Sequence, residues 1–308
     1  MRVCVIGCGA IGSLFAANLA TLEDVEVWAY DLYAEHVRSI NERGLRLTGV
    51  GDVLSKPHAT SDAAQLPRCD YGIVATKSMH TQAAVHACSQ AFDDRSAVCS
   101  VQNGIGNEET IAQDVRHVIR GTTFPAGRLL EPGIVSWDVK GDTWIGPFEP
   151  SGTPMEMVLP LAAALTRSGM NTIALEDARG AQWTKLIFNA ATNCLGALTG
   201  LTHGRVCEDP DLRHVAHGLV DEGKAVAEAL GISLDHDPEE MIDRSVKVAY
   251  EHKASMLQDV ESRRVTEVDY LNGGIARFGR DAGVPTPMNE TMLALIKGLE
   301  RAWARGGR

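Results

Sequence analysis

The sequence predicts an α/β fold in which a doubly wound N-terminal domain is followed by an all-α domain. The chain opens with a short apolar strand, a glycine-rich turn and a helix. Strand-like apolar runs then alternate with helical periodicity as far as residue 177, and only helical periodicities follow. Because 308 residues exceed the usual size of one core, we place two domains at 1–177 and 178–308.

The glycine-rich turn lies between a strand over Val3–Ile6 and a helix whose apolar residues begin at Ile11. Glycines at 7, 9 and 12 match G-x-G-x-x-G, the pattern of a Rossmann-type dinucleotide-binding domain. There the first glycine permits the turn, the second admits a pyrophosphate and the third lets helix and strand pack. We therefore expect the whole turn to bind cofactor: Gly7, Cys8, Gly9, Ala10, Ile11 and Gly12. A glycine-rich turn without a ligand is the alternative.

The second strand, Val25 to Tyr30, ends at Asp31, which follows Gly12 by 19 residues. An acidic residue at this distance binds the ribose hydroxyls of NAD and repels the 2′-phosphate of NADP. The position therefore favours NAD(H). In the alternative interpretation Asp31 caps the following helix, Leu32 to Asn41, and the two roles are compatible.

Polar residues follow two further apolar strands, Tyr71–Thr76 and Ala97–Val101. Ligands of a doubly wound sheet gather beyond the carboxyl ends of its strands. We therefore expect Lys77 and Asn103 to face the cofactor. A helix-start lysine and an Asn-Gly turn are the alternatives.

The remaining elements complete the predicted pattern. We predict strand-like segments at 118–120, 134–137, 142–145 and 171–175, a small hairpin or loop over 44–53, and helices over 155–166, 180–198, 209–230, 238–250, 266–281 and 289–305.

The helix over 182–198 carries a polar stripe. Lys185, Asn189 and Asn193 are spaced i, i+4 and i+8, and the other positions are mostly apolar. A lysine on a buried helix has a lowered pKa and can donate a proton near neutral pH. We expect these three residues on one wall of an interdomain cleft. A solvent-reaching lysine with structural asparagines is the alternative.

Composition narrows the class of partner. The net charge is −11 and no basic block occurs, which argues against nucleic acid or an anionic membrane as a partner. Seven scattered cysteines without C-x-x-C spacing suggest free thiols, a cytoplasmic location and no metal site. The strand at the first residues leaves no room for a signal peptide, and no apolar run reaches membrane-spanning length.

A second polar cluster lies downstream, with S-M-L-Q-D at 255–259 and T-E-V-D-Y-L-N-G at 266–273. Thr266 is placed to cap the next helix, with Asp269 in the capping-box position. In that interpretation Glu267 and Asp269 are acids of the first helical turn.

These motifs together resemble the 2-dehydropantoate 2-reductase (ketopantoate reductase) family. The resemblance runs nearly end to end and rests also on T-K-S at 76–78, Q-N-G at 102–104 and G-V-P-T-P-x-N at 283–289. It implies that Lys185 is the general acid, that Asn189, Asn193, Ser255 and Glu267 line the substrate site, and that Lys77 and Asn103 line the cofactor cleft. Glu267 would position Lys185 or bind a substrate hydroxyl. The implied reaction reduces ketopantoate to pantoate for pantothenate synthesis.

Two departures from the family pattern leave alternatives open. The family often has an arginine near the position of Asp31, which makes NADP(H) the alternative cofactor, and an asparagine where this chain has His252. His252 is therefore a candidate substrate ligand with altered selectivity. The alternatives are an NAD-dependent reductase of another branched 2-oxo acid (a D-2-hydroxyacid dehydrogenase), a related dehydrogenase acting on a phosphorylated or 3-hydroxy substrate, and a non-catalytic NAD(H)-binding regulator. We expect a homodimer formed through the helical domain.

Overall fold

A computed structural model describes residues 1–248 and 250–305. The chain forms two compact units, one of Met1–Gln102 with Asn107–Ala178, the other of Asn103–Gly106 with Arg179–Arg308. The predicted helix over 238–250 and the second predicted domain include residues 249 and 306–308, which lie outside the described residues.

The first unit is built around a sheet of eight strands, which are β1 (Arg2–Ile6), β2 (Glu26–Tyr30), β5 (His58–Thr60), β6 (Tyr71–Val74), β7 (Ala97–Ser100), β8 (His117–Thr123), β11 (Thr143–Pro147) and β12 (Thr172–Ala174). Their order in the sheet is β12-β11-β8-β7-β6-β1-β2-β5. Neighbouring strands from β5 to β8 are parallel, β11 is antiparallel to β8, and β12 is parallel to β11. Strand β1 lies centrally, and its residues from Val3 to Ile6 are fully buried, as continuous apolar strands of parallel sheets are.

A smaller sheet has the order β4-β3-β10-β9, formed by β3 (Leu45–Gly49), β4 (Val53–Ser55), β9 (Ala126–Glu131) and β10 (Ile134–Val139). Helix α1 (Ala10–Leu19) packs against strands of this sheet and against β1 and β2 of the larger one. Because both sides of α1 are covered, its residues from Gly12 to Leu19 are all buried.

The other helices of the first unit are α2 (Ala34–Arg43), α3 (Thr81–Cys88), α4 (Asn107–Ile111) and α5 (Met155–Arg167). Helix α2 ends at Gly44, whose φ of +87° suits glycine in particular.

The second unit is helical. Its helices are α6 (Arg179–Thr199), α7 (His203–Glu208), α8 (Pro210–Ala229), α9 (Pro238–Val248), α10 (Ser255–Glu261), α11 (Asn272–Ala282) and α12 (Pro287–Arg305). Most of α6 is buried, since α8, α10, α9 and α7 all pack against it. The apolar core of the second unit includes Ile187, Leu219 and Ile275, each fully buried.

The fold class predicted from the sequence is confirmed, and the differences are local. Strands β5 and β9 and helices α3, α4, α7 and α10 were not among the predicted elements. The predicted helix over 266–281 is wrong over residues 266–271, since α11 starts at Asn272. Thr266 does not cap it: its backbone N–H and hydroxyl both bond to Glu300 Oε1, at 2.8 Å each. Glu267 and Asp269 therefore lie in a turn before the helix and are not first-turn acids.

Candidate active site

The three glycines of the turn meet different surroundings. Gly7 has a φ of +88°, and a Cβ there would lie 2.6 Å from Thr76 Cγ2. A Cβ on Gly12 would collide with the carbonyl oxygen of Gly7. A Cβ on Gly9 would meet nothing within 4 Å. The chain's own packing therefore requires glycine at 7 and 12, whereas Gly9 faces open space that a ligand can approach.

The start of α1 suits an anion. Gly9 occupies the N-cap position and has no side chain that could cap the helix, and the first turn contains no acidic residue. The positive end of the helix dipole is thus not neutralised by the helix itself. Cys8 is buried, and burial raises the pKa of its thiol well above the ordinary value, so it is a small spacer and not a nucleophile. These residues fit the pyrophosphate of a dinucleotide.

Asp31 is tied to the glycine turn. Its Oδ2 accepts a hydrogen bond from the Cys8 N–H at 2.7 Å, and its Oδ1 accepts one from the Tyr33 N–H at 2.8 Å. Tyr33, not Asp31, occupies the N-cap position of α2. The carboxylate therefore stands at the carboxyl end of β2, beside the glycine turn, where it orders the backbone ahead of α2 without capping that helix.

A buried amide joins the ends of β6 and β7. Gln102 Nε2 donates to the Thr76 carbonyl at 2.9 Å and to Thr81 Oγ1 at 2.7 Å. Thr76 directly precedes Lys77, which is half-buried before the turn that leads into α3. Gln102 thus fixes the backbone that carries Lys77. Its place beside Asn103 in the sequence was the available signal, and sequence reasoning assigned it no role.

A second buried link supports the glycine turn. Ser13 Oγ donates to the Cys8 carbonyl at 2.8 Å and lies 3.3 Å from His36 Nε2. His36 Nδ1 accepts from the Gly133 N–H at 2.9 Å, so Nδ1 carries no proton. Burial lowers the pKa of His36, and the ring is neutral at physiological pH. No sequence pattern indicated this link, because its partners are far apart in the chain.

In the second unit, α6 carries Lys185, the predicted proton donor. Its Nζ donates to Asn103 Oδ1 at 3.0 Å. Burial lowers the pKa of Lys185 to about 8, and the negative charge of Glu267 partly opposes that shift. The ammonium therefore bonds to a neutral acceptor and feels the charge of Glu267, and it loses its proton far more readily than a surface lysine.

The other predicted substrate residues lie on α6 or in the segments around it. Asn189 is half-buried and Asn193 buried on α6, Glu267 is buried in the turn before α11, and Ser255 is half-buried as the first residue of α10. His252 is exposed in the segment before α10, 6.5 Å from His203 between ring centroids.

Buried amides also hold α6 in place. Asn272 Nδ2 donates to the Ala190 carbonyl at 2.9 Å and to Asn289 Oδ1 at 3.0 Å, and Asn289 Nδ2 donates to Glu222 Oε2 at 2.8 Å. Asn272 and Asn289 are fully buried. The asparagines of the motifs at 266–273 and 283–289 thus support the helix that carries Lys185.

Two further observations concern residues 1–248 and 250–305 as a set. They contain no group of three or more His, Cys, Asp or Glu side chains arranged to hold a metal ion. They also contain no helix with the length and apolar character needed to cross a lipid bilayer.

Comparisons with known proteins identify the family. Two family models match the chain: "Ketopantoate reductase PanE/ApbA" over residues 3–150 and "Ketopantoate reductase PanE/ApbA C terminal" over residues 177–300. The chain is also 34% identical to a 2-dehydropantoate 2-reductase of Pyrococcus horikoshii, over 97% of this chain and 98% of that protein. The chain belongs to the ketopantoate reductase family. The resemblance predicted from its motifs is confirmed, and the family is one of pyridine-nucleotide oxidoreductases.

Solved structures agree with this membership. A ketopantoate reductase family protein from Ralstonia eutropha is 31% identical, with a TM-score of 0.87. The match covers 98% of the present chain and 99% of the Ralstonia chain. A D-mandelate dehydrogenase solved with NADH and anilino(oxo)acetate is 26% identical, with a TM-score of 0.90 and the same coverage.

Proposed function

We propose that this protein reduces the keto group of a branched 2-oxo acid, with ketopantoate as the first candidate and pantoate as the product. The observation that carries the proposal is the environment of Lys185. Its pKa is about 8, and its Nζ donates a hydrogen bond to Asn103. Lys185 also shares one face of α6 with Asn189. Family membership supports the same reaction.

The chemistry divides between the two units. A reduced nicotinamide, when bound, supplies the hydride that the keto carbon gains. The glycine turn and Asp31 of the first unit bind the dinucleotide, and Lys77 contributes a positive charge beside it. In the second unit, Lys185 Nζ gives its proton to the keto oxygen as negative charge develops there, so the residue stabilises the transition state more than the ground state.

The remaining polar residues of the second unit orient the oxo acid. Asn189, Asn193 and Ser255 donate hydrogen bonds to its carboxylate or hydroxyl. Glu267 keeps Lys185 protonated by raising its pKa, and Asn103 fixes the position of Nζ. The products are the 2-hydroxy acid and the oxidised nucleotide. We propose NADH as the preferred donor because of the carboxylate at Asp31, with NADPH as the alternative.

A second candidate function is reduction of a different 2-oxo acid within the same chemistry. It is favoured by the similarity to the D-mandelate dehydrogenase and by His252 at a position where the family often has asparagine. In both cases we propose that the protein acts as a homodimer in the cytoplasm.

Steady-state reduction of ketopantoate, 2-oxoisovalerate and phenylglyoxylate, each with NADH and with NADPH, tests the proposal. We expect the highest kcat/KM with ketopantoate and NADH. Preferred reduction of an acid without the ketopantoate hydroxyl would replace pantoate synthesis by the second candidate. Dinucleotide binding with no turnover of any oxo acid would make the protein an NAD(H)-binding regulator.

A further inference from the structure

His36 is a fully buried histidine of α2 to which the proposed function gives no part. Its Nδ1 accepts a hydrogen bond from the Gly133 N–H at 2.9 Å, and burial lowers the pKa of the ring. The neutral ring therefore carries its proton on Nε2, which donates to Ser13 Oγ 3.3 Å away. The Ser13 hydroxyl in turn donates to the Cys8 carbonyl at 2.8 Å. One directed chain of hydrogen bonds thus runs from Gly133 through His36 and Ser13 to the glycine turn.

The outer end of this chain is anchored where α2 meets the turn between β9 and β10. The Ser39 hydroxyl of α2 donates to the Pro132 carbonyl at 2.7 Å. The next residue, Gly133, has a φ of +84°, and a Cβ on it would collide with Ser39 Oγ. The helix and the turn therefore fit closely, and the Gly133 N–H is held against the His36 ring.

The inner end of the chain sets the orientation of one peptide group. The Cys8 carbonyl and the Gly9 N–H belong to the same peptide, which is trans. In a planar trans peptide these two groups point in opposite directions. Because the carbonyl is bonded to the fully buried Ser13 hydroxyl, the N–H of the exposed Gly9 points away from that hydroxyl. Asp31 binds the Cys8 N–H, so side chains fix both peptide groups of Cys8.

We propose that His36 and Ser13 are positioning residues for the dinucleotide, which together aim the Gly9 N–H at its pyrophosphate. This inference rests on the proposed function, in which the glycine turn binds the dinucleotide. A Cβ on Gly9 would meet nothing within 4 Å, so a phosphate can approach this part of the backbone. An amide that is already oriented binds an anion more tightly than one that must be ordered during binding, since the ordering costs free energy.

Packing alone does not account for a histidine at this position. The Tyr33 ring stacks on the His36 ring with centroids 6.2 Å apart, and a phenylalanine ring can stack in the same way. A phenylalanine would lose only the acceptor for Gly133 and the donor for Ser13. Buried polar groups cost free energy unless all of them are hydrogen-bonded, as they are along this chain. His36→Phe therefore separates the hydrogen-bonded chain from the packing.

The test measures the Kd of NADH or NADPH, whichever the native protein binds more tightly, by fluorescence titration. We expect His36→Phe and Ser13→Ala each to raise this Kd by about tenfold, the scale of one lost buried hydrogen bond. The kcat at saturating dinucleotide should change much less than Kd. His36→Gln keeps a donor for Ser13 and should bind the dinucleotide more tightly than His36→Phe. His86→Phe, at an exposed histidine of α3, is the matched control and should keep the native Kd.

Two further measurements separate this role from a general loss of structure. Adenosine contains no phosphate, so its Kd, measured by competition, should be nearly the same for the native protein and both variants. Because His36 and Ser13 act through the same carbonyl, the double variant should bind the dinucleotide little more weakly than either single variant.

Each other outcome rejects a distinct statement. If the native protein binds neither NADH nor NADPH, the proposed function is wrong and this inference with it. If it binds one of them but His36→Phe keeps the native Kd, or weakens adenosine as much as the dinucleotide, the inference is wrong and the proposed function stands. Additive effects in the double variant, or no gain of His36→Gln over His36→Phe, also reject the inference. Should His36→Phe fail to fold, an unchanged dinucleotide Kd in Ser13→Ala rejects it.

Discussion

Lys185 Nζ lies 3.0 Å from Asn103 Oδ1, although the two residues are 82 positions apart in the chain. Residues 103–106 belong to the helical unit, whereas the strand that precedes them belongs to the sheet unit. An amide predicted to face the cofactor thus also holds the proposed proton donor. Its role towards the cofactor stays a prediction, and the contact suggests a positioning role beside it.

Replacing Lys185 by Ala should lower turnover of the oxo acid by about a hundredfold or more, the usual scale for a lost general acid. Binding of NADH should be nearly unchanged, because the glycine turn lies in the other unit. Lys185→Arg should not restore activity, since a guanidinium scarcely releases a proton. Kinetics and a fluorescence titration with NADH measure the two effects. Lys297→Ala, which removes a lysine paired with Asp269 in the same unit, is the control. Full activity in Lys185→Ala would move the search to Lys77 or His252.

The pH profile of reduction should fall as pH rises through about 8, because Lys185 must be protonated to act as the acid. Glu267→Gln should move this fall to lower pH, since the charge of Glu267 raises the pKa of Lys185. Asp269→Asn removes a carboxylate two residues away that pairs with Lys297, and it should leave the profile in place. Identical profiles for the native protein and Glu267→Gln would exclude this electrostatic role.

Two substitutions of Asn103 should shift the fall in activity at high pH in opposite directions. Asn103→Asp places a negative charge beside Nζ and should shift the fall in activity to higher pH. Asn103→Leu removes the acceptor at 3.0 Å and should shift it to lower pH, with reduced kcat. The measurement is kcat/KM against pH. A loss of activity without any shift would mean that Asn103 acts on substrate or cofactor and not through Lys185.

Asp31→Asn should weaken the preference for NADH. Loss of the carboxylate removes a charged partner of the ribose, and we expect kcat/KM for NADH to fall by about tenfold to a hundredfold, with a gain for NADPH. Glu35→Gln, at the exposed start of α2, controls for net charge. A native protein that prefers NADPH, or an unchanged cofactor ratio in Asp31→Asn, would contradict the ribose role.

Lys185→Met should stabilise the protein at neutral pH while abolishing its activity. The pKa of Lys185 is about 8 in the folded state and 10.5 as the ordinary value, so burying the ammonium opposes folding below pH 8. Between these values the unfolded chain binds the extra proton, so native stability rises with pH and the advantage of Lys185→Met shrinks. Urea unfolding of both proteins at pH 7 and pH 10 measures this difference in the free energy of unfolding. An advantage that grows with pH would show that Lys185 is not held at a lowered pKa.

The sequence by itself determined the features that depend on local pattern. The strand–turn–helix of the first dozen residues, the buried strands of the parallel sheet and the polar stripe of α6 all follow from continuous apolar runs, from the helical period of 3.6 and from the steric freedom of glycine. The motifs also determined the family. The distance of 19 residues from Gly12 predicted that Asp31 follows the second strand, and Asp31 directly follows the last residue of β2.

Tertiary structure decided what depends on partners distant in the chain. Thr266 bonds to Glu300, 34 residues away, so α11 starts later than its capping pattern predicts. The three-residue strand β5 exists because β2 supplies its partner, and its sequence alone is too short to indicate a strand. The contact of Lys185 with Asn103 was equally hidden. Hydrogen bonding and desolvation are set by the groups that folding brings together, and a linear pattern does not contain those groups.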